Sequence, residues 1–141
     1  MKFLSFSYND KELYGVKVKR EESAWDLIKV LEDFDNNETI PQSLREAIEI
    51  YGVSFIEKVR KVLKLVEESS NADNYKVPFD KIIWRSPITR TPKNILCVGH
   101  NYEAHVNELG DELAKTPKDV LIFTKATTAL AGNNEVVPYY R

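Results

Sequence analysis

The sequence predicts an α+β chain in two parts. A small N-terminal module of a hairpin and helices comes first, at residues 1–70. The opening strands of a β-rich domain follow, at residues 75–141. Three observations predict this. Residues 3–8 and 13–19 carry strand-like patterns, residues 26–66 carry helical apolar stripes, and a small polar stretch at Ser69–Asn74 precedes a change of character. After that stretch, prolines recur at 78, 87, 92, 117 and 138, and short strand-like runs replace the helices.

In the second strand Tyr14, Val16 and Val18 alternate with Gly15, Lys17 and Lys19, the period of a half-buried strand. Asn9-Asp10 is the turn that makes a hairpin of the two. Asp26 is placed to cap a helix carrying Leu27, Ile28, Leu31 and Phe34 on one face. Pro41 suits the first turn of the next helix, with Leu44, Ala47, Ile48 and Tyr51 inward and Gly52 ending it. The third helix carries the stripe Phe55, Ile56, Val59, Val62, Leu63 and Val66, backed by Glu57, Lys58, Arg60, Lys61 and Lys64 as a solvated face. Strands are predicted at 75–78, 81–85, 94–98, 120–124 and 135–137, with one helix at 102–109. Asn101 is its cap and Gly110 its terminator. Trp25 and Trp84 read as packing residues.

Bulk composition excludes several classes. The 141 residues are 43% hydrophobic and 30% charged, with 20 basic and 22 acidic side chains and a formal net charge of −2. That balance leaves no electrostatic footprint for nucleic acid or an anionic membrane. No apolar run approaches the roughly 18 residues of a membrane span, and the N-terminus is too polar after residue 6 for a signal peptide. The single cysteine, Cys97, excludes an intrachain disulfide and Cys-rich zinc sites. The cytoplasm is the expected compartment.

Chemistry points to residues 94–109. His105 and Glu108 stand three apart on a helix and face the same way. A carboxylate beside an imidazole fixes its tautomer and favours its protonated form, so the pair can draw a proton from water. Spacing alone equally describes an exposed helix pair worth a few tenths of a kcal/mol. His100, five residues before His105, does not share its helical face, so the two do not make a metal site. Cys97 sits between Leu96 and Val98, the setting of a buried cysteine acting as a small hydrophobe. Gly99 ends the strand and allows a sharp turn. Lys125 follows the run Val120-Leu-Ile-Phe123 and shares a face with Phe123. It can reach a pocket and hold an anionic oxygen, or it can reach solvent.

Two segments then carry a resemblance. Lys93-Asn-Ile-Leu-Cys97-Val-Gly99-His-Asn-Tyr102-Glu-Ala-His105-Val-Asn-Glu108-Leu-Gly110 and Asp119-Val-Leu-Ile-Phe123-Thr-Lys125-Ala-Thr-Thr-Ala-Leu-Ala-Gly132 resemble the fumarylacetoacetate hydrolase family. Its pattern is a strand ending in Cys-x-Gly, then x-Asn-Tyr, then a spaced His and Glu, then a Phe-x-Lys strand. The match covers about a third of the chain. The resemblance implies that His105 and Glu108 are the catalytic dyad. It makes Lys125, Tyr102 and His100 substrate-binding residues, and it implies the N-terminal portion of a β-rich catalytic domain. It implies action on small oxo acids by carbon–carbon bond hydrolysis, decarboxylation or isomerisation, with Mg2+ or Mn2+ and commonly as a homodimer. A hard cation prefers oxygen ligands and polarises a dicarbonyl. His100 departs from the family, in which arginine or another residue often precedes Asn-Tyr.

The family's Glu-x-Glu metal ligands have no counterpart here. Glu135 is the single acid after Lys125, and the sequence closes at Tyr139-Tyr-Arg141. The expectation is therefore a metal-free, inactive chain that is part of a longer enzyme. The alternative is a non-catalytic fragment serving assembly or regulation.

Overall fold

The computed structural model describes residues 1–36, 39–99 and 120–139. It divides into two units, Met1–Thr89 with Leu130–Arg141, and Arg90–Ala129. Helices and antiparallel sheets make it an α+β protein. No helix among the described residues is long and apolar enough to cross a membrane.

The first unit is built on a hairpin of β1 (Phe3–Tyr8) and β2 (Lys11–Lys17). Asn9 and Asp10 form its two-residue turn at φ 49° and 60°, a left-handed conformation that these two residue types tolerate. β3 (Ser23–Asp26) pairs with β2, a strand that the sequence reading lacks. Ser-Ala-Trp-Asp is too short to show alternation, and it becomes a strand through partners on both sides.

Asp26 ends β3 and caps α1 (Leu27–Phe34), accepting from the Ile28 and Lys29 amides at 3.1 and 3.2 Å. Val30 joins Leu27 and Leu31 in full burial, whereas Ile28 and Phe34 are half-buried. α2 spans Leu44–Tyr51 and is capped by Ser43, so it starts after Pro41, which was expected in its first turn. Ser43 Oγ accepts from the Glu46 amide at 3.1 Å, and Glu46 Oε2 accepts from the Gln42 amide at 2.7 Å. This is a near variant of the capping box. Pro41 lies outside the helix, fully buried, and its carbonyl accepts from Tyr14 Oη at 3.1 Å. Ile48, expected inward, is 49% exposed. Gly52 terminates the helix with φ 55°, as expected. α3 (Ser54–Glu68) buries Phe55, Val59, Val62, Leu63 and Val66, while Ile56 at the margin of the stripe is 40% exposed.

These helices cover one face of the sheet. Tyr14, Val16 and Trp25 pack with Leu27, Leu31, Phe55, Val59 and Val66, and the Phe3 and Phe55 rings stack at 5.8 Å. The opposite face is also apolar: Leu4, Phe6, Ala24 and Val77 pack with Leu13, Phe79 and Trp84. A Cβ on Gly15 would lie 3.3 Å from the Phe6 ring and 2.1 Å from the Trp25 carbonyl oxygen. Only glycine fits between them.

β4 (Lys76–Pro78) and β5 (Ile83–Arg85) complete the sheet in the order β4-β3-β2-β1-β5. The sequence reading groups them with the β-rich part after the linker, but their hydrogen bonds put them at the two edges of the N-terminal sheet. The strand expected at 135–137 is irregular backbone instead. There Glu135 accepts from the Gly132 amide at 2.6 Å and from Arg85 Nη1 at 2.8 Å, which ties the segment to β5 by side chain and not by a ladder.

Two stability tests follow from this packing. Phe55→Ala is expected to cost about 3–5 kcal/mol in urea unfolding, against under about 1 kcal/mol for Ile56→Ala. Burial raises the Asp26 pKa above the ordinary carboxylate value, although its amide donors oppose the shift. The charged form is therefore disfavoured in the fold, and stability falls as pH rises through that raised pKa. Asp26→Asn keeps the cap without the charge and should match or exceed the parent in stability at pH 7. Asp26→Ala should lose about 1 kcal/mol.

Candidate functional site

The second unit contains an antiparallel ribbon of β6 (Ile95–Gly99) and β7 (Leu121–Lys125). Its register pairs Ile95 with Lys125, Cys97 with Phe123 and Gly99 with Leu121. Directly opposed residues share a face, so Cys97, Phe123 and Lys125 lie on one side, as the alternation predicts. Leu96, Val98, Ile122 and Thr124 lie on the other. Cys97 is half-buried beside Phe123, a packing position and not the fully buried one expected.

Gly99 is the last residue of β6 and does not take a left-handed backbone. A Cβ there would lie 2.8 Å from Leu121 Cδ2. Gly99 ends the strand, as expected, and leaves room for the leucine; the turn expected after it falls outside the described residues.

β6 leads directly into the motif. His100, Asn101, Tyr102, His105 and Glu108 lie outside the described residues, as does the helix expected at 102–109. Lys125 is therefore the one expected site residue whose position is defined: it is exposed, at the end of β7. It sits opposite Ile95, four strand positions from Gly99, or about 13 Å along the ribbon. A lysine side chain is shorter than that, so strand geometry alone does not bring Lys125 to the residues that follow Gly99.

Glu135, the single acid of the C-terminal segment, is engaged. The Gly132 amide first, then the Arg85 charge, hold its carboxyl below the usual glutamate value. A backbone Cβ at Gly132 would lie 2.2 Å from the Trp84 carbonyl oxygen, so this loop presses closely on β5. No sequence pattern signals this contact, because Arg85 and Glu135 are remote in sequence. Among the described residues no three His, Cys, Asp or Glu side chains converge as metal ligands.

No family model matches the chain. It is 42% identical over its whole length to an uncharacterized protein of Staphylococcus aureus strain USA300, and equally to those of strains NCTC 8325 and COL. The chain spans about half, 46%, of the length of these curated relatives.

The Glu135 contact is testable by pH. Protonation is harder in the folded state than in the unfolded one, so the contact stabilises above the ordinary glutamate pKa and is lost as pH falls through the lowered folded value. The Gly132 amide resonance should titrate with a midpoint below 4.5, the reference value for glutamate. Glu135→Gln should abolish that titration.

Proposed function

We propose that the chain is the N-terminal part of an enzyme resembling fumarylacetoacetate hydrolases, acting in the cytoplasm on small oxo acids. The observation that carries this reading is the β6–β7 pairing. Two motif segments, Cys97-x-Gly99 and Phe123-x-Lys125, are remote in sequence and form one ribbon. Relatives of about twice the length support a catalytic part larger than this sequence.

His105 is the general base and Glu108 orients and charges it. The histidine takes a proton from water, and the hydroxide oxygen bonds to a substrate carbonyl carbon. The carbon–carbon bond to the neighbouring methylene then breaks, and its electron pair leaves with the oxo-acid fragment as an enolate. His105 returns the proton to that fragment. On this reading Tyr102 and His100 bind substrate, and Lys125 holds a substrate carboxylate. Magnesium or manganese, when bound, polarises the dicarbonyl. The described residues do not fit the ion, since Glu135 is already engaged by Gly132 and Arg85. On this reading the ligands come from acids outside the described residues, and a homodimer is the expected assembly.

The test uses the full coding sequence that contains this chain. An acidic Glu-x-Glu pair should follow Arg141 closely, and an acylpyruvate should be cleaved with magnesium or manganese. His105→Ala should lower kcat about 10²–10⁴-fold, while Lys125→Ala should act mainly on KM. Lack of turnover by the full protein, or turnover unaffected by His105→Ala, would sink the assignment. The second reading, an assembly fragment, draws on the ribbon itself: Leu96 is 73% exposed and Ile122 60%. Self-association by light scattering, without metal dependence or activity, would favour it.

A further inference from the structure

Arg90–Ala129 form a unit of their own, and the chain returns from it to the first unit at Leu130. Both flanks of this excursion are held at one place, the β1–β5 pair. On the entry side Arg85 stands opposite Ser5 in the ladder, and Ser5 Oγ donates to the Pro87 carbonyl at 2.7 Å. On the return side Arg85 Nη1 donates to Glu135 Oε1 at 2.8 Å, while Arg85 Nε donates to Ser7 Oγ at 2.9 Å. The other oxygen of Glu135 accepts from the Gly132 amide at 2.6 Å. Gly132 in turn lies against Trp84, whose carbonyl oxygen leaves no room for a Cβ.

An isolated ion pair at a surface is worth little, but a network with fixed geometry is worth more. Here one arginine joins β1, β5 and the returning segment, and its serine partner Ser7 is buried, as is Ser5. The links between this anchor and the ribbon are ordered as well. Thr91 Oγ1 donates to the Lys93 carbonyl at 2.7 Å on the entry side. On the return side the Ala129 amide donates to the Ala126 carbonyl at 3.0 Å, and the Glu135 amide to the Gly132 carbonyl at 3.3 Å.

The ribbon has little else to hold it. Two strands alone are marginal in water. Leu96, Val98 and Ile122 are exposed on one face, and Leu121 and Phe123 on the other. Ile95 and Lys125 are the ribbon pair nearest the flanks in sequence. Holding the flanks together restricts the unpaired chain and shortens the loop that this pair must close.

We propose that Arg85 and Glu135 clamp the returning flank beside the entering one, and that β6–β7 pairing is coupled to this clamp through the chain. Glu135 is then a positioning residue for the ribbon. The coupling needs no contact between the two units, and it stands whatever chemistry the motif segments carry.

Amide hydrogen exchange of the full chain, read residue by residue by NMR, tests the coupling. Doubling a flexible loop shifts its closing equilibrium about threefold. In Glu135→Ala the paired amides of β6 and β7 should therefore exchange about three- to tenfold faster, while those of β2 and α3 keep the parent rates. Glu135→Gln, which keeps an acceptor for Gly132 and loses the charge, should fall between. Glu49→Ala, which removes the exposed Arg45–Glu49 pair of α2, should leave the ribbon unchanged. Parent exchange rates in the ribbon of Glu135→Ala would overturn the proposal. So would acceleration shared equally by β2 and α3, since that outcome makes the contact a general stabiliser of the fold. A parent ribbon whose amides are already unprotected would overturn it too.

Discussion

The first unit depends on burying the β1–β2 hairpin from both sides. Tyr14 is fully buried on the helix-covered face and Phe6 on the other. A two-stranded ribbon is marginal in water and gains stability only from further strands and an apolar cover. Here β3 and β5 supply the strands. The three helices supply one cover, and the 78–84 segment, with Phe79 edge-on to Trp84 at 4.9 Å, supplies the other. Gly15 is the point where both requirements meet, since the Phe6 ring and the Trp25 backbone approach it together.

This two-sided burial also explains what could be read from the sequence. Helix α3 was legible because one apolar stripe faces one core, and five of its six stripe residues are buried. β2 was legible through Tyr14 and Val16 for the same reason. β1 was legible as well, since Leu4 and Phe6 alternate with Ser5 and Ser7, although all four are buried. β3, β4 and β5 are three or four residues long, so they owe their conformation to partners rather than to pattern. That is why the polar stretch at Ser69–Asn74 resembled a domain boundary. It is a loop whose chain returns to the same sheet, through Tyr75 packed edge-on to Phe34 at 5.4 Å.

Site legibility has a different limit. A motif read along the chain supplies residue types and spacing, but not the register between strands. The alternation correctly predicted that Lys125 and Phe123 share a face. It could not say that Lys125 lies opposite Ile95, at the far end of the ribbon from Gly99. His105 and Glu108 lie outside the described residues, so their pairing rests on the helical spacing and the resemblance. Arg85–Glu135, by contrast, is a defined ion pair at 2.8 Å. It was invisible in sequence because fifty residues separate its partners.

Register is therefore the property on which the ribbon's chemistry turns. A slip of one residue would move every side chain of β7 to the opposite face. In most sheets burial forbids the slip, because one face is apolar and the other polar. In β6–β7 this control is weak: Leu121 and Phe123 point one way and Ile122 the other, and all three are exposed. The Gly99–Leu121 pair adds little to this control, because a Cβ on Gly99 would meet only the flexible end of the leucine side chain, which can turn aside. The face on which Lys125 emerges is therefore set by the backbone ladder that runs from Ile95–Lys125 to Gly99–Leu121, and not by side-chain burial.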